Sequence, residues 1–192
     1  MGGTFNPVHY GHIIAGQEVK EKMGLDKITF IPSAHPPHKD ERELAPASHR
    51  LNMLKLALGK DPYFSISTLE IDRGGKSYSF QTMRALPKIY GPEAEFFFIL
   101  GTDAIRDIFT WKKVDEFLSL CRLIVINRPG FSIRHLKKKM PPFHFVRVTP
   151  VAISSRAIRK RVQEGKPIRY LVPEKVEVYI KKHNLYHAGK RP

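Results

Sequence analysis

At 192 residues, 42% of them hydrophobic, the chain is long enough for one compact domain with a sizeable core. It has no run of about eighteen apolar residues, which excludes a transmembrane helix. Its lone cysteine, Cys121, excludes an intrachain disulfide and fits a reducing cytoplasm. The net charge of +15 is unevenly placed: residues 132–192 hold 16 Lys and Arg against 3 Asp and Glu. Part of that excess suits a polyanionic ligand. The rest, including Arg134, Lys137, Lys138, Lys139, Lys181, Lys182, Lys190 and Arg191, reads as solvated faces. A nucleic-acid surface is the less favoured alternative, because these residues lack interleaved aromatics.

The chain opens Met-Gly-Gly-Thr-Phe-Asn-Pro-Val-His-Tyr-Gly-His, followed by Ile13 to Val19, which predicts an amphipathic helix. Gly2 and Gly3 allow close backbone approach, and a glycine-rich turn feeding a helix N-terminus is an anion site. His9 and His12 add ring donors, so the stretch reads as a phosphate cradle with histidine clamps. A glycine turn with two surface histidines is the plain alternative. A metal site is the other, but two imidazoles are too few for zinc. Of the further candidates, His35 and His38 flank two prolines and no cysteine pair accompanies them.

Lys27 to Ile31 predicts a strand and residues 34–46, with three prolines, a functional loop. Ala47 to Leu58 is predicted helical, Tyr63 to Ile71 extended, and Ser79 to Tyr90 helical with Pro87 kinking or shortening it. Glu95 to Leu100 and Arg122 to Ile126 are apolar enough for buried strands. Cys121 beside the second reads as an inert core residue. His144 to Val148 predicts a strand, and Ser155 to Gln163 and Pro173 to Lys182 two helices. The alternation implies βαβ units around a parallel sheet. Gly75-Lys76-Ser77 imitates the end of a P-loop, but the first glycine of that pattern would fall at Glu70.

Gly2 to His12 resembles the (H/T)xGH signature of the nucleotidylyltransferase superfamily, and Ile153-Ser154-Ser155-Arg156-Ala157-Ile158-Arg159 resembles its second signature. Pro36-Pro37-His38-Lys39, Ser77-Tyr78-Ser79, Gly101-Thr102-Asp103 with Trp111, Arg128-Pro129-Gly130 and His183-Asn184-Leu185-Tyr186 are similar to the bacterial nicotinate mononucleotide adenylyltransferases. The resemblance covers nearly the whole chain. It implies an α/β, Rossmann-like parallel sheet with helices on both faces. One domain would span residues 1–186, with 187–192 a frayed tail. In that family a hydrophobic strand precedes Gly-Gly-Thr-Phe. Only Met1 does so here, so the first strand is expected to be missing or truncated, the natural chain starting upstream.

The resemblance further implies transfer of AMP from ATP to nicotinate mononucleotide in the cytoplasm, with Mg²⁺ held mainly by the phosphates and no metal site of the protein's own. His9, His12, Lys39 and Arg159 would act on the phosphates. Gly3, Thr4, Phe5, Ile153, Ser154 and Ser155 would also bind ATP, the serines capping a helix whose N–H groups face the β,γ-phosphates. Gly101, Asp103 and Arg128 would hold adenosine, although an Asp after a strand equally fits a helix cap. Tyr78, Ser79 and Trp111 would hold the nicotinate nucleotide, although a single Trp equally fits a core. A related adenylyltransferase using nicotinamide mononucleotide or phosphopantetheine is the runner-up. A basic nucleic-acid-binding protein is the reading from a different class. No partner is implied beyond the two substrates: no membrane, no nucleic acid, and an open oligomeric state.

Overall fold

The computed structural model describes residues 1–36, 44–131 and 140–187. The strands are β1 (Gly2–Gly3), β2 (Ile28–Pro32), β3 (Phe64–Ile66), β4 (Phe97–Gly101), β5 (Arg122–Ile126) and β6 (Phe143–Val146). Between and after them lie helices α1 (Tyr10–Met23), α2 (Ala47–Leu58), α3 (Leu69–Arg73), α4 (Ser79–Tyr90), α5 (Val114–Leu120), α6 (Ser155–Gln163) and α7 (Glu174–Lys182), with a 3₁₀ turn at Ile105–Thr110.

All strand pairs are parallel. β2 lies between β1 and β3, and β5 between β4 and β6. The two halves meet where β1 faces β4: a Cβ on Gly2 would lie 3.6 Å from the Phe98 ring. The order is therefore 3-2-1 followed by 4-5-6, a doubly wound arrangement whose crevice opens at the C-terminal strand ends where the order reverses.

Strands covered on both faces carry continuous apolar runs, as in Leu123-Ile124-Val125-Ile126, all buried. Alternation decides which face each side chain serves. Ile124 and Ile126 join a core with Val19 of α1, Met53 and Leu54 of α2, Ile158 of α6 and Val176 and Ile180 of α7. Leu123 and Val125 join a second with Phe80 and Met83 of α4 and Phe117 of α5. Gly24 ends α1 at φ 62, a left-handed cap that a residue with a Cβ adopts only with strain.

The first strand, expected to be missing or truncated, is present as two residues: Gly2 stands in register with Ile31 and Gly3 with Pro32. One local expectation needs correction. Residues 63–71 are not one extended run: the strand ends at Ile66 and Leu69–Arg73 is a helix, its Thr68 hydroxyl donating to Asp72 at 2.6 Å. The α4 helix keeps the expected bounds, Ser79 to Tyr90, and Pro87 does not shorten it; in the last turn a proline costs only one ladder bond. Pro37, His38, Lys39, Arg134, Lys137, Lys138, Lys139, Lys190 and Arg191, and residues 188–192 of the expected tail, lie outside the described residues. No helix among the described residues is long and apolar enough to cross a membrane.

Candidate active site

A cavity of about 460 Å³ opens at the C-terminal ends of β1, β2, β4 and β5. Gly3, Thr4, Phe5, His12 and Ser155 line it, as do Gly101, Asp103, Arg128, Ser79 and Trp111. The topology thus brings ten of the residues singled out in the sequence to one cavity. His9, Tyr78, Ile153, Ser154 and Arg159 are not among its lining residues, and Lys39 lies outside the described residues.

The first motif folds as a turn into a helix. His9 is the extended cap of α1, and its N–H donates to His12 Nδ1 at 3.3 Å. An Nδ1 that accepts a bond carries no proton, so a neutral His12 carries its proton on Nε2, as a donor. The two rings stack at 3.7 Å, and the Phe5 ring meets His12 edge-on at 5.1 Å. His9 is 2% exposed and, among the described residues, its Nδ1 has no hydrogen-bond partner. Burial, with the Arg128 charge beside it, pushes its ring down to about 3. His9 is therefore neutral at pH 7 and braces His12 from behind, whereas His12 lines the cavity.

The second motif reaches the same place from the other end of the chain. Ser154 caps α6, its Oγ accepting from Ala157 N–H at 3.1 Å. Ser155 does not share the capping: its hydroxyl donates to Pro7 O at 2.8 Å. Arg159 donates from Nη1 to Asn6 O at 3.1 Å, one turn along the same helix. The α6 N-terminus, with its unpaired N–H groups and positive dipole end, is thereby held against the loop that leads into α1.

At the ends of β4 and β5, Gly101, Asp103 and Arg128 converge. Asp103 Oδ1 lies 3.8 Å from Arg128 Nε. A Cβ on Gly101 would overlap Asp103 Oδ1 and come within 2.9 Å of Arg128 Cγ, which explains the glycine. Buried Thr102, quoted in the Gly101-Thr102-Asp103 stretch without a role of its own, accepts from Arg128 N–H at 3.1 Å through its hydroxyl. Asn127 clamps the strand leading to α6, donating to Val148 O at 2.9 Å and accepting from Val148 N–H at 2.6 Å.

The remaining wall comes from α3, α4 and β4. Tyr78 is the extended cap of α4 without a side-chain cap bond, and Ser79 starts the helix at the cavity. Trp111 is half-buried, held edge-on by Phe98 at 5.9 Å and tilted on Phe117 at 5.4 Å. Core packing and cavity lining are both true of it. Glu70, absent from the sequence-based site, is buried in the wall and accepts from Thr82 Oγ1 at 2.6 Å. The signal that could have found it is a carboxylate between two apolar residues, Leu69 and Ile71.

Glu70 and Asp103 are the carboxylates of the described cavity, and no group of three metal-ligating side chains exists among the described residues. That donor set fits a magnesium ion carried by phosphate oxygens. Cys121, whose thiol burial pushes up to about 12, carries no thiolate at neutral pH.

A helix N-terminus, a glycine cradle and a histidine Nε2 donor at the switch point of a doubly wound sheet define a phosphate-binding, nucleotide-handling α/β protein. The cytidylyltransferase-like family model matches residues 1–161. The chain is 45% identical to the probable nicotinate-nucleotide adenylyltransferase of Desulfitobacterium hafniense (strain Y51), over 97% of this chain and 93% of that one. It is 42% identical to the one of Thermoanaerobacter sp. (strain X514), over 97% and 92%. The fold is shared with the nicotinic acid mononucleotide adenylyltransferase of Plasmodium falciparum complexed with NaAD (TM-score 0.82, 23% identity, 96% and 94% coverage). The chain belongs to the cytidylyltransferase-like family and, within it, to the nicotinate-nucleotide adenylyltransferases.

Proposed function

We infer that the protein transfers AMP from ATP to nicotinate mononucleotide, releasing pyrophosphate and forming nicotinate adenine dinucleotide, as a cytoplasmic step of NAD biosynthesis. The observation that carries this is the meeting of the two terminal motifs at Asn6 and Pro7, with His12 and Ser155 lining one cavity with Ser79 and Trp111.

A phosphate oxygen of the mononucleotide attacks the α-phosphorus of ATP. The new P–O bond forms as the bond to the β-phosphate breaks, and pyrophosphate leaves. The nucleophile is already anionic at pH 7, so no general base is needed. Catalysis reduces to alignment and to neutralising charge on the phosphoryl oxygens. His12 donates from Nε2 to the transferring phosphate, the N–H groups of the Gly3 to Phe5 turn and of α6 hold its neighbours, and Lys39 adds a cation. Arg159 supports this from behind, fixing Asn6 and hence the turn. His9 keeps the His12 ring in place. Magnesium, brought in on the triphosphate, supplies further neutralisation.

Asp103 accepts from the ribose hydroxyls of adenosine, and Arg128 flanks the adenine. The α4 N-terminus, at Tyr78 and Ser79, favours a carboxylate over a neutral carboxamide through its dipole. This supports nicotinate as the pyridine substrate, with Trp111 stacking on its ring. The test is pyrophosphate release with ATP, Mg²⁺ and either mononucleotide. Nicotinate mononucleotide reacts faster; equal or reversed rates overturn the assignment.

A further inference from the structure

Arg50 sits on the buried stripe of α2 and is 1% exposed. No carboxylate pairs with it among the described residues. All its partners are main-chain carbonyls: Ala45 O from Nε at 2.9 Å, Thr4 O and Ser33 O from Nη1 at 2.9 and 2.7 Å, and Ala34 O from Nη2 at 2.9 Å. Burying a cation is costly unless its donors are satisfied. A planar fork of five N–H donors can satisfy that demand while gripping several segments at once.

Those segments are parts of the phosphate site. Across a trans peptide unit the C=O and the N–H point in opposite directions. Drawing Thr4 O toward Arg50 therefore turns the N–H of Phe5 the other way. That N–H has no hydrogen-bond partner among the described residues, and both Thr4 and Phe5 line the cavity. Phe5 holds φ 49, a left-handed conformation that a bulky residue keeps only when its surroundings impose it. Ser33, whose carbonyl Arg50 also binds, lines the cavity with a buried hydroxyl lacking a partner among the described residues. Ala45 is gripped twice, its carbonyl by Arg50 and its N–H by Asn6 Oδ1 at 3.1 Å. Tyr186 donates to the same Asn6 oxygen at 2.8 Å.

We propose that Arg50 is the positioning residue of the phosphate site. It never touches the nucleotide, but its grip on four carbonyls presents the Phe5 N–H and the Ser33 hydroxyl to the phosphates. This rests on the reading that the cavity binds ATP.

The test compares wild type with Arg50→Lys, which keeps the charge but loses the fork, and with Arg50→Ala. ATP affinity is measured by calorimetry alongside thermal melting and steady-state kinetics. Arg50→Lys remains folded, binds ATP about tenfold more weakly and loses kcat, with KM for nicotinate mononucleotide unchanged. Methylguanidinium restores part of the ATP affinity of Arg50→Ala. If Arg50→Lys melts lower but binds ATP and turns over like wild type, Arg50 is a scaffold residue and the proposal is overturned. Should Arg50→Ala fail to fold, the Arg50→Lys comparison still decides. A wild type that binds ATP without forming dinucleotide overturns the reaction assigned above, not the role of Arg50, which is read from ATP binding.

Discussion

The Ser155 hydroxyl donates to the carbonyl of Pro7 at 2.8 Å, joining residues 148 positions apart in the chain. Beside it, Arg159 donates to Asn6 at 3.1 Å. Neither motif makes a site alone. The turn before α1 supplies backbone donors and His12, α6 supplies a second helix N-terminus, and these two bonds hold them in register. The joining of the two motifs therefore depends on contacts between side chains and main chain.

Cutting that link should lower activity more than stability. A bond from a charged donor contributes roughly 1.5–3 kcal/mol and a neutral one about 1. Arg159→Lys is expected to lower kcat/KM for ATP by about tenfold to a hundredfold, and Ser155→Ala by about fivefold. Melting temperatures should fall by only about 2–10 °C, with the fold kept. Steady-state kinetics with a thermal melt checks both, and unchanged kcat/KM in Arg159→Lys would show that the tie carries no function.

The two histidines separate on the same logic. His12 lines the cavity and should act as an oxyanion donor, so His12→Ala is expected to cost about a hundredfold to a thousandfold in kcat with the fold intact. His9 is packed behind it, so His9→Ala opens a hole and should cost about 2 kcal/mol or more of stability in addition to activity. Chemical denaturation and kinetics on both variants test this. A His9 variant with full stability, or a His12 variant with full rate, contradicts the assignment.

Much of this was legible in the sequence, and the exceptions share a cause. β2, β4 and β5 are readable because strands covered on both faces keep continuous apolar runs. The cradle is readable because glycines, histidines and a helix start coincide in twelve residues. Leu69–Arg73 misled because five residues are too few to display a helical period, and Leu69, Glu70, Ile71 and Asp72 alternate as a strand would. What makes it a helix is tertiary: Glu70 turns inward to Thr82 and Gly74 ends it. Arg50 escaped notice because its partners are loop carbonyls, which leave no mark on the pattern. The available signal was a charged residue on the same stripe as Met53, Leu54 and Leu58. Ser155 and Arg159 were found, but as phosphate ligands; that both bind the first motif's main chain could come only from the fold.

A side chain at Gly101 should force Asp103 and Arg128 to move. Its Cβ would overlap the Asp103 carboxylate and press on Arg128. Gly101→Ala is therefore expected to displace both, raising KM for ATP about tenfold while costing about 1–3 kcal/mol of stability. KM for nicotinate mononucleotide should change less. Equal effects on the two substrates would mean that Asp103 and Arg128 do not mark the adenosine side of the cavity.

The buried His9 ring makes a prediction about acid. Its unfolded value is 6.5 and its folded value about 3, so between those limits the unfolded chain binds a proton that the folded chain refuses. Unfolding is then favoured as pH falls, and stability declines by about 1.4 kcal/mol per pH unit from 6.5 downward through this residue. His49 is also pushed down, by burial and by the neighbouring His183 charge, and adds to the slope in the same direction. Denaturation measured from pH 7 to 5 should thus steepen toward acid, and His9→Gln should flatten the slope by about one proton. In the folded protein the His9 ring resonances should not titrate above pH 5. An acid limb in the rate within that range then belongs to another group. A ring that titrates near 6.5 in the folded state would remove both the slope and the neutral brace behind His12.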